Sequence, residues 1–205
     1  AGRIGLAIND LLEDDFDIKL CDSRVAAETY GVNLPIIDFI DASDIKMLGS
    51  FMDYSDVVIS AVNYKFNRDI FQLALKKGKH YVDLTEDVET TNWIRENSKD
   101  ASVSIISQCG LAPGAINIIG AHLARQFEKP ISLKLRVGAL PLYPTNNMSY
   151  YLSWNTAGLL NEYVNMCDAI VNRGKAKVKP LEGLEKIIID GIEYEAFNTS
   201  GGVGT

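Results

Sequence analysis

The chain is short of the residues that cross-link or metallate small folds. Its 205 residues hold three cysteines, Cys21, Cys109 and Cys167, and two histidines, His80 and His122. The cysteines are widely spaced and form no Cys-x-x-Cys pair, so the sequence signals neither a disulfide framework nor a zinc site, and reduced thiols are expected. Positive charge is also in short supply: 20 Lys and Arg stand against 27 Asp and Glu, a net charge of −7. Such a surface repels phosphate backbones and anionic lipid, which argues against nucleic acid or a membrane as partner. Long apolar runs are missing too. Residues 101–124 include no Asp, Glu, Lys or Arg, but Gln108, Pro113, Gly114 and Asn117 interrupt them, and no bilayer-spanning segment is predicted. No basic stretch leads into an apolar one in the manner of a signal peptide, so a cytoplasmic location is expected. What remains is 47% hydrophobic and 23% charged, an ordinary globular balance in a chain long enough to bury a core.

The first hundred residues alternate short apolar runs with amphipathic stretches, the pattern of repeated βαβ units. Strands are predicted over 17–21, 36–40, 57–61, 81–84 and 103–107, mostly rich in Val, Ile, Leu or Phe. Between them lie helical signals. Ile4, Ile8, Leu11 and Leu12 form one apolar stripe. Ser23 caps a predicted helix to Tyr30, with Gly31 as its stop, and Ser43 caps another to Met52. A third begins at Asn67, buries Ile70, Phe71, Leu73, Ala74 and Leu75, and stops at Lys76-Lys77-Gly78. A fourth covers 88–99. Beyond Phe127 the pattern changes: 131–137 alternates apolar with polar residues, 150–154 reads as a strand and 156–163 as a short helix. Ile187–Ile189 and Ile192–Tyr194, joined by Asp190-Gly191, read as a hairpin. The fold class expected is α/β: a Rossmann-type doubly wound parallel sheet over 1–112, then a second α+β domain with an antiparallel sheet over 113–205.

The opening Ala1-Gly2-Arg3-Ile4-Gly5 fits the last five positions of G-x-G-x-x-G ahead of an amphipathic helix. The strand and first glycine that should precede it are expected upstream of these residues. Gly2 lets the backbone approach a pyrophosphate and Gly5 lets the helix pack closely, while the amides of Arg3 and Ile4 stand at the positive helix end. Asp22 follows 20 residues after Gly2 at the end of the next apolar run, where a carboxylate accepts from the adenosine ribose hydroxyls. That acid favours NAD over NADP. Arg24 is placed either to stack on adenine or, as the lesser choice, to accommodate a 2′-phosphate.

Taken with Asp56-Val57-Val58-Ile59-Ser60-Ala61 and His80-Tyr81-Val82-Asp83-Leu84-Thr85, these features resemble the saccharopine dehydrogenase family. Gln108-Cys109-Gly110-Leu111-Ala112-Pro113-Gly114 is similar to that family's G-L-x-P-G turn between nucleotide and substrate domains. Tyr151-Leu152-Ser153-Trp154-Asn155 with Gly158-Leu159-Leu160-Asn161-Glu162-Tyr163, and the closing Phe197-Asn198-Thr199-Ser200-Gly201-Gly202, resemble its substrate-domain segments. The resemblance is strongest to the saccharopine dehydrogenase-like or lysine 6-dehydrogenase branch, whose members are longer at both ends. It implies an NAD(P)-dependent oxidoreductase working at a C–N bond of an amino acid such as lysine or saccharopine. The alternatives are an NADPH-dependent carboxyspermidine-type reductase and a noncatalytic NAD-binding sensor. An amino-acid or amine partner and a homodimer are expected.

Ligands of open α/β sheets bind beyond the strand C-terminal ends, which selects Ala61, Val62, Asn63 and Tyr64 near the nicotinamide, then Asp83 and Glu86. An ammonium must lose a proton before its carbon can release hydride, so a base is required. Asp83 is the first choice, with capping of Thr85 as its equal alternative; Glu86 is the second, and Tyr64 can stack or donate. Gly110, Pro113 and Gly114 are expected to set the interdomain turn, with amides of the following helix open to a substrate carboxylate. The resemblance adds Trp154, Asn155 and Glu162 as substrate contacts. Cys109 has no adjacent base and reads as a packing residue; His80 and His122 read as structural.

Overall fold

The computed structural model describes residues 2–23, 36–138, 140–146 and 156–202. They divide into two units, Ala1–Leu84 with Asn92–Ser107, and Thr85–Thr91 with Gln108–Thr205. In the first unit the elements run α1 (Arg3–Leu12), β1 (Leu20–Asp22), β2 (Ile37–Phe39), α2 (Ile45–Met52), β3 (Val57–Ser60), a 3-10 turn (Tyr64–Phe66), α3 (Asn67–Lys76), β4 (His80–Asp83), the later part of α4 (Val88–Asn97), and β5 (Ile105–Ile106). β1 pairs in parallel with β2, and β3, β4 and β5 form a second parallel sheet in that order. Each parallel step is joined by a helix or a long connection, as parallel pairing requires.

One core serves both sheets. Ile40, Leu48, Met52, Ile70, Phe71, Ala74, Tyr81 and Ile94 are buried together, and Cys21 of β1, Val58 of β3 and Ile105 of β5 pack against them. Phe71 is its centre, meeting the Tyr81 ring edge-on at 5.5 Å and the Trp93 ring at 5.8 Å. Such aromatic pairs add about 0.5–1.5 kcal/mol each to the area they bury. The predicted helix stop holds: the Lys77 amide turns back to Leu73 and Ala74 oxygens at 3.1 Å, and Gly78 takes φ +66. The cap of α2 is Asp44, not Ser43. Asp44 Oδ1 accepts from the Lys46 and Met47 amides, while the Ser43 hydroxyl donates to Asp41. With two candidate caps in succession, the carboxylate, the stronger acceptor, takes the amides. The helix predicted from Ser23 to Tyr30 lies outside the described residues beyond its cap.

The second unit holds α5 (Ala115–Ala124), α6 (Thr156–Val164), and two antiparallel hairpins, β6 (Cys167–Val171) with β7 (Gly174–Val178) and β8 (Glu185–Ile189) with β9 (Ile192–Ala196). The second hairpin extends the predicted one at both ends around Asp190 and Gly191, whose φ values of 51 and 80 match a type I′ turn. The first hairpin was not expected. Residues 131–137, alternating like a strand, are irregular. Their apolar members pack on α5 instead: Leu135 lies where a Cβ on Gly120 would stand, 2.5 Å away. Their cations pair with Glu185, Lys134 and Arg136 each at 2.6 Å. The strand predicted over 150–154 lies outside the described residues. No described helix is long and apolar enough to cross a membrane.

Candidate functional site

Gly2 is the N-cap of α1, with φ −77 and ψ −167 and no side-chain cap. The helical ladder starts with the Leu6 amide on the Gly2 oxygen at 3.0 Å, which leaves the amides of Arg3, Ile4 and Gly5 outside it. Gly5 itself is buried. Three amides and a helix dipole aimed one way, with no side-chain cap from Gly2 itself, suit a diphosphate. Asp22 closes β1 opposite Phe39 of β2, half-buried, and its carbonyl takes the Ile40 amide at 2.9 Å. The acid therefore sits at the C-terminal edge of the parallel pair, as the fingerprint requires. Arg24 lies outside the described residues.

The second glycine-fed helix end differs. At α5 the Ala115 and Ile116 amides donate to the Gly110 and Leu111 oxygens at 2.9 and 3.0 Å, and the Asn117 amide to Gly114 at 3.0 Å. The turn containing Gly110, Pro113 and Gly114 caps the helix with its own carbonyls, so the amides expected to meet a substrate carboxylate already have acceptors. Gly114 takes φ +129, which an L side chain rarely adopts.

After β3, Ala61 is half-buried and Val62 and Asn63 are exposed. Asn63 accepts from the Lys65 amide at 3.1 Å and so caps the 3-10 turn that Tyr64 opens. Beyond β4, Asp83 has 0% exposure and accepts from the Ser107 hydroxyl at 2.8 Å. Close by, Ser60 donates to Asn67 at 2.7 Å and the Tyr81 hydroxyl reaches the Asn67 carbonyl at 3.4 Å. Burial, then neighbouring Asp83, pushes the Tyr81 phenol far above its usual range. This network ties the ends of β3, β4 and β5 together. Asp83 is thus closed off from solvent at the end of β4.

Capping after β4 belongs to Thr85 and Asp87. Thr85 Oγ1 accepts from the Asp87 amide at 3.1 Å, and Asp87 Oδ2 accepts from Thr90 at the start of α4 at 2.7 Å. In the same unit Glu86 bears on Glu162 of α6. Burial, then the Glu86 charge, pushes the Glu162 carboxyl up to about 7. The two acids were selected separately in the sequence, 76 positions apart, and the fold couples them. Trp154 and Asn155 lie outside the described residues. Asn161, Ser200 and Gly201 stood in the segments that carry the resemblance without a role of their own, and Asp87 was not selected, although an Asp ahead of a helix is a cap signal.

The coupling has a stability consequence. Because folding raises the Glu162 pKa above 4.5, the native state holds more protons than the unfolded one between there and about 7. Stability is full below that window and falls as pH rises through it. Glu162→Gln is expected to flatten this decline, read as urea midpoints at acid and neutral pH; an unchanged slope would show that Glu162 titrates normally.

An open glycine-fed helix end, an acid at the end of the following strand, and parallel sheets define a Rossmann-type dinucleotide-binding chain. Residues 1–106 match the family model described as the saccharopine dehydrogenase NADP binding domain, and the chain belongs to that family. It is 26% identical over 127 residues to alpha-aminoadipic semialdehyde synthase of Arabidopsis thaliana, covering 59% of this chain and 12% of that protein. It is 24% identical over 127 residues to the saccharopine dehydrogenase (NADP(+), L-glutamate-forming) of Pyricularia oryzae, covering 59% and 28%. In fold it is similar to apo histidine-tagged saccharopine dehydrogenase (L-Glu forming) from Saccharomyces cerevisiae, with a TM-score of 0.65 at 19% identity over 97% of this chain and 48% of that one. The chain thus spans a small part of the curated relatives and about half of the solved one. A nicotinamide dinucleotide is the cofactor class of the domain; the family description names NADP, against the NAD preference read from Asp22.

Proposed function

We propose that this protein is an NADP-dependent oxidoreductase that transfers hydride between nicotinamide and the carbon of a C–N bond in an amino acid of the lysine or saccharopine type. The observation that carries the reading is the glycine N-cap of α1, whose first amides stand outside the helical ladder, in a chain of this family. Gly2, Arg3, Ile4 and Gly5 hold the diphosphate through backbone amides, and Asp22 takes a ribose hydroxyl. Arg24, two residues further on, supplies the guanidinium that a 2′-phosphate needs. When bound, the dinucleotide accepts or donates the hydride. Ala61, Val62 and Asn63 carry the chain past it, with Tyr64 as a donor. Asp83 fixes the strand ends that carry these loops.

Proton handling falls to the second unit. Glu86 and Glu162 form a carboxylate pair suited to an ammonium: one charge holds the nitrogen while the other group takes a proton from it. The amine's lone pair is then available to its carbon. The full chain is to be offered lysine, saccharopine and a diamine with NADP and with NAD, following the absorbance of the reduced nicotinamide. Turnover of an amino acid with NADP is expected; turnover of the diamine alone would transfer the reading to polyamines. NADPH is expected to bind roughly 10–100-fold more tightly than NADH, the worth of one hydrogen bond to a charged group, and Arg24→Ala to erase that preference. Tighter binding of NADH would restore the NAD preference read from Asp22 and remove Arg24 from the phosphate.

A further inference from the structure

Three segments far apart in sequence meet around the carboxylate pair. Ser200, 3% exposed, donates its amide to the Glu162 carbonyl at 2.9 Å and its hydroxyl to the Asn161 carbonyl at 2.9 Å. These carbonyls lie in the last turn of α6, where the helix offers few amides for them; the Asn161 carbonyl also takes the Asn165 amide at 3.1 Å. The Asn161 side chain reaches Asp87 at 3.3 Å, and Asp87 is bound to the start of α4 through Thr90. Gly201 lies against the next residue of that segment. At its φ of +84 a Cβ would stand 2.9 Å from the Glu86 carbonyl oxygen and 3.4 Å from the Glu86 Cβ.

We propose that Ser200 and Gly201 are positioning residues that clamp the end of α6 onto the Thr85–Asp87 segment and so hold the Glu162 carboxyl beside Glu86. Ser200 grips the helix, Asn161 and Asp87 join it to the acidic segment, and Gly201 permits the close approach that a side chain would block. The arrangement opposes what two acids do when left alone. Like charges separate and hydrate unless other contacts keep them together, and perturbed acids of this kind gather where protons are moved. Among the described residues Glu86 is the charged group that bears on Glu162. Resting on the amine reading above, the clamp gives the site its substrate class: a primary or secondary ammonium, held by the Glu86 carboxylate while Glu162, in its ionised form, takes the proton. Glu162 reaches that form as pH rises through about 7.

The test follows the glutamate side-chain carboxyl carbons of the full chain by NMR through a pH titration, with Glu86→Gln and Glu162→Gln assigning the two signals. In the parent chain Glu162 is expected to titrate at about 7. Gly201→Ala, which forces the close approach apart, is expected to lower that midpoint by about one pH unit, tenfold in proton affinity. Ser200→Ala keeps the backbone amide, disturbs the fold little, and is expected to shift the midpoint less but in the same direction. A midpoint that stays in place in both variants, with amide spectra showing both folded, overturns the clamp. The readout needs neither dinucleotide nor substrate. A shifted midpoint in a chain that turns over no amine keeps the clamp and removes the proposed activity; turnover with an unmoved midpoint does the reverse.

Discussion

Alanine in place of Gly114 is expected to destabilise the second unit by roughly 3–5 kcal/mol, the range of backbone strain compounded by a collision in a packed loop. At φ +129 the new Cβ would stand 2.2 Å from the Gly110 oxygen, 2.7 Å from its nitrogen and 2.9 Å from the Gln108 oxygen. All three are backbone atoms, so no side chain can swing away. The Gly110 oxygen is also the acceptor for the first amide of α5, and displacing it strips that helix of its cap. Gly78 is the comparison. It has φ +66 with nothing within 4 Å of its Cβ position, so Gly78→Ala pays for conformation alone, about 1 kcal/mol. Urea unfolding of the three chains measures the difference. A Gly114→Ala chain no less stable than Gly78→Ala would mean that the 108–114 turn relaxes freely and is no rigid cap.

Parts of this architecture were legible because single residues forced them. Gly78 stops α3 where cations precede a left-handed residue, and Asp190-Gly191 announces its hairpin because a type I′ turn needs positive φ twice. The first hairpin uses the same turn at Asn172 and Arg173, with φ 51 and 67. Arginine is no signal for that conformation, so β6 and β7 stayed hidden. Residues 131–137 alternate as a two-faced extended segment does, yet they are irregular, and one face is met by α5 through Leu135 and Gly120.

The candidate site divides along the same line. Gly2, Gly5 and Asp22 were selected by a spacing that follows from the diphosphate and ribose contacts proposed for them. Asp83 was readable as an acid at a strand end, but its burial was not, because Ser107, 24 residues away, binds it. The coupling of Glu86 to Glu162 depends on contacts from Asn161 and Ser200, and no local pattern encodes a meeting of three remote segments. The sequence offered Asp83, Glu86 and Glu162 as candidate acids; the fold buries Asp83 completely and couples Glu162 to Glu86.

Valine in place of Gly2 is expected to weaken NADPH binding about 100-fold, the loss of roughly 2.7 kcal/mol of backbone contact with the diphosphate. The backbone there has φ −77 and ψ −167, an extended conformation that valine adopts readily. Nothing in the turn's own conformation demands glycine, and stability is expected to change by less than about 0.5 kcal/mol, as for surface substitutions. The need for glycine then lies in what approaches from outside. A branched Cβ over the amides of Arg3, Ile4 and Gly5 holds an anion away from all three at once, whereas Gly2→Ala should give an intermediate loss. Calorimetric titration with NADPH, beside thermal unfolding of the same samples, separates the two quantities. If the valine chain binds NADPH as tightly as the parent, the start of α1 is not the diphosphate site, and the dinucleotide reading of the first unit fails with it.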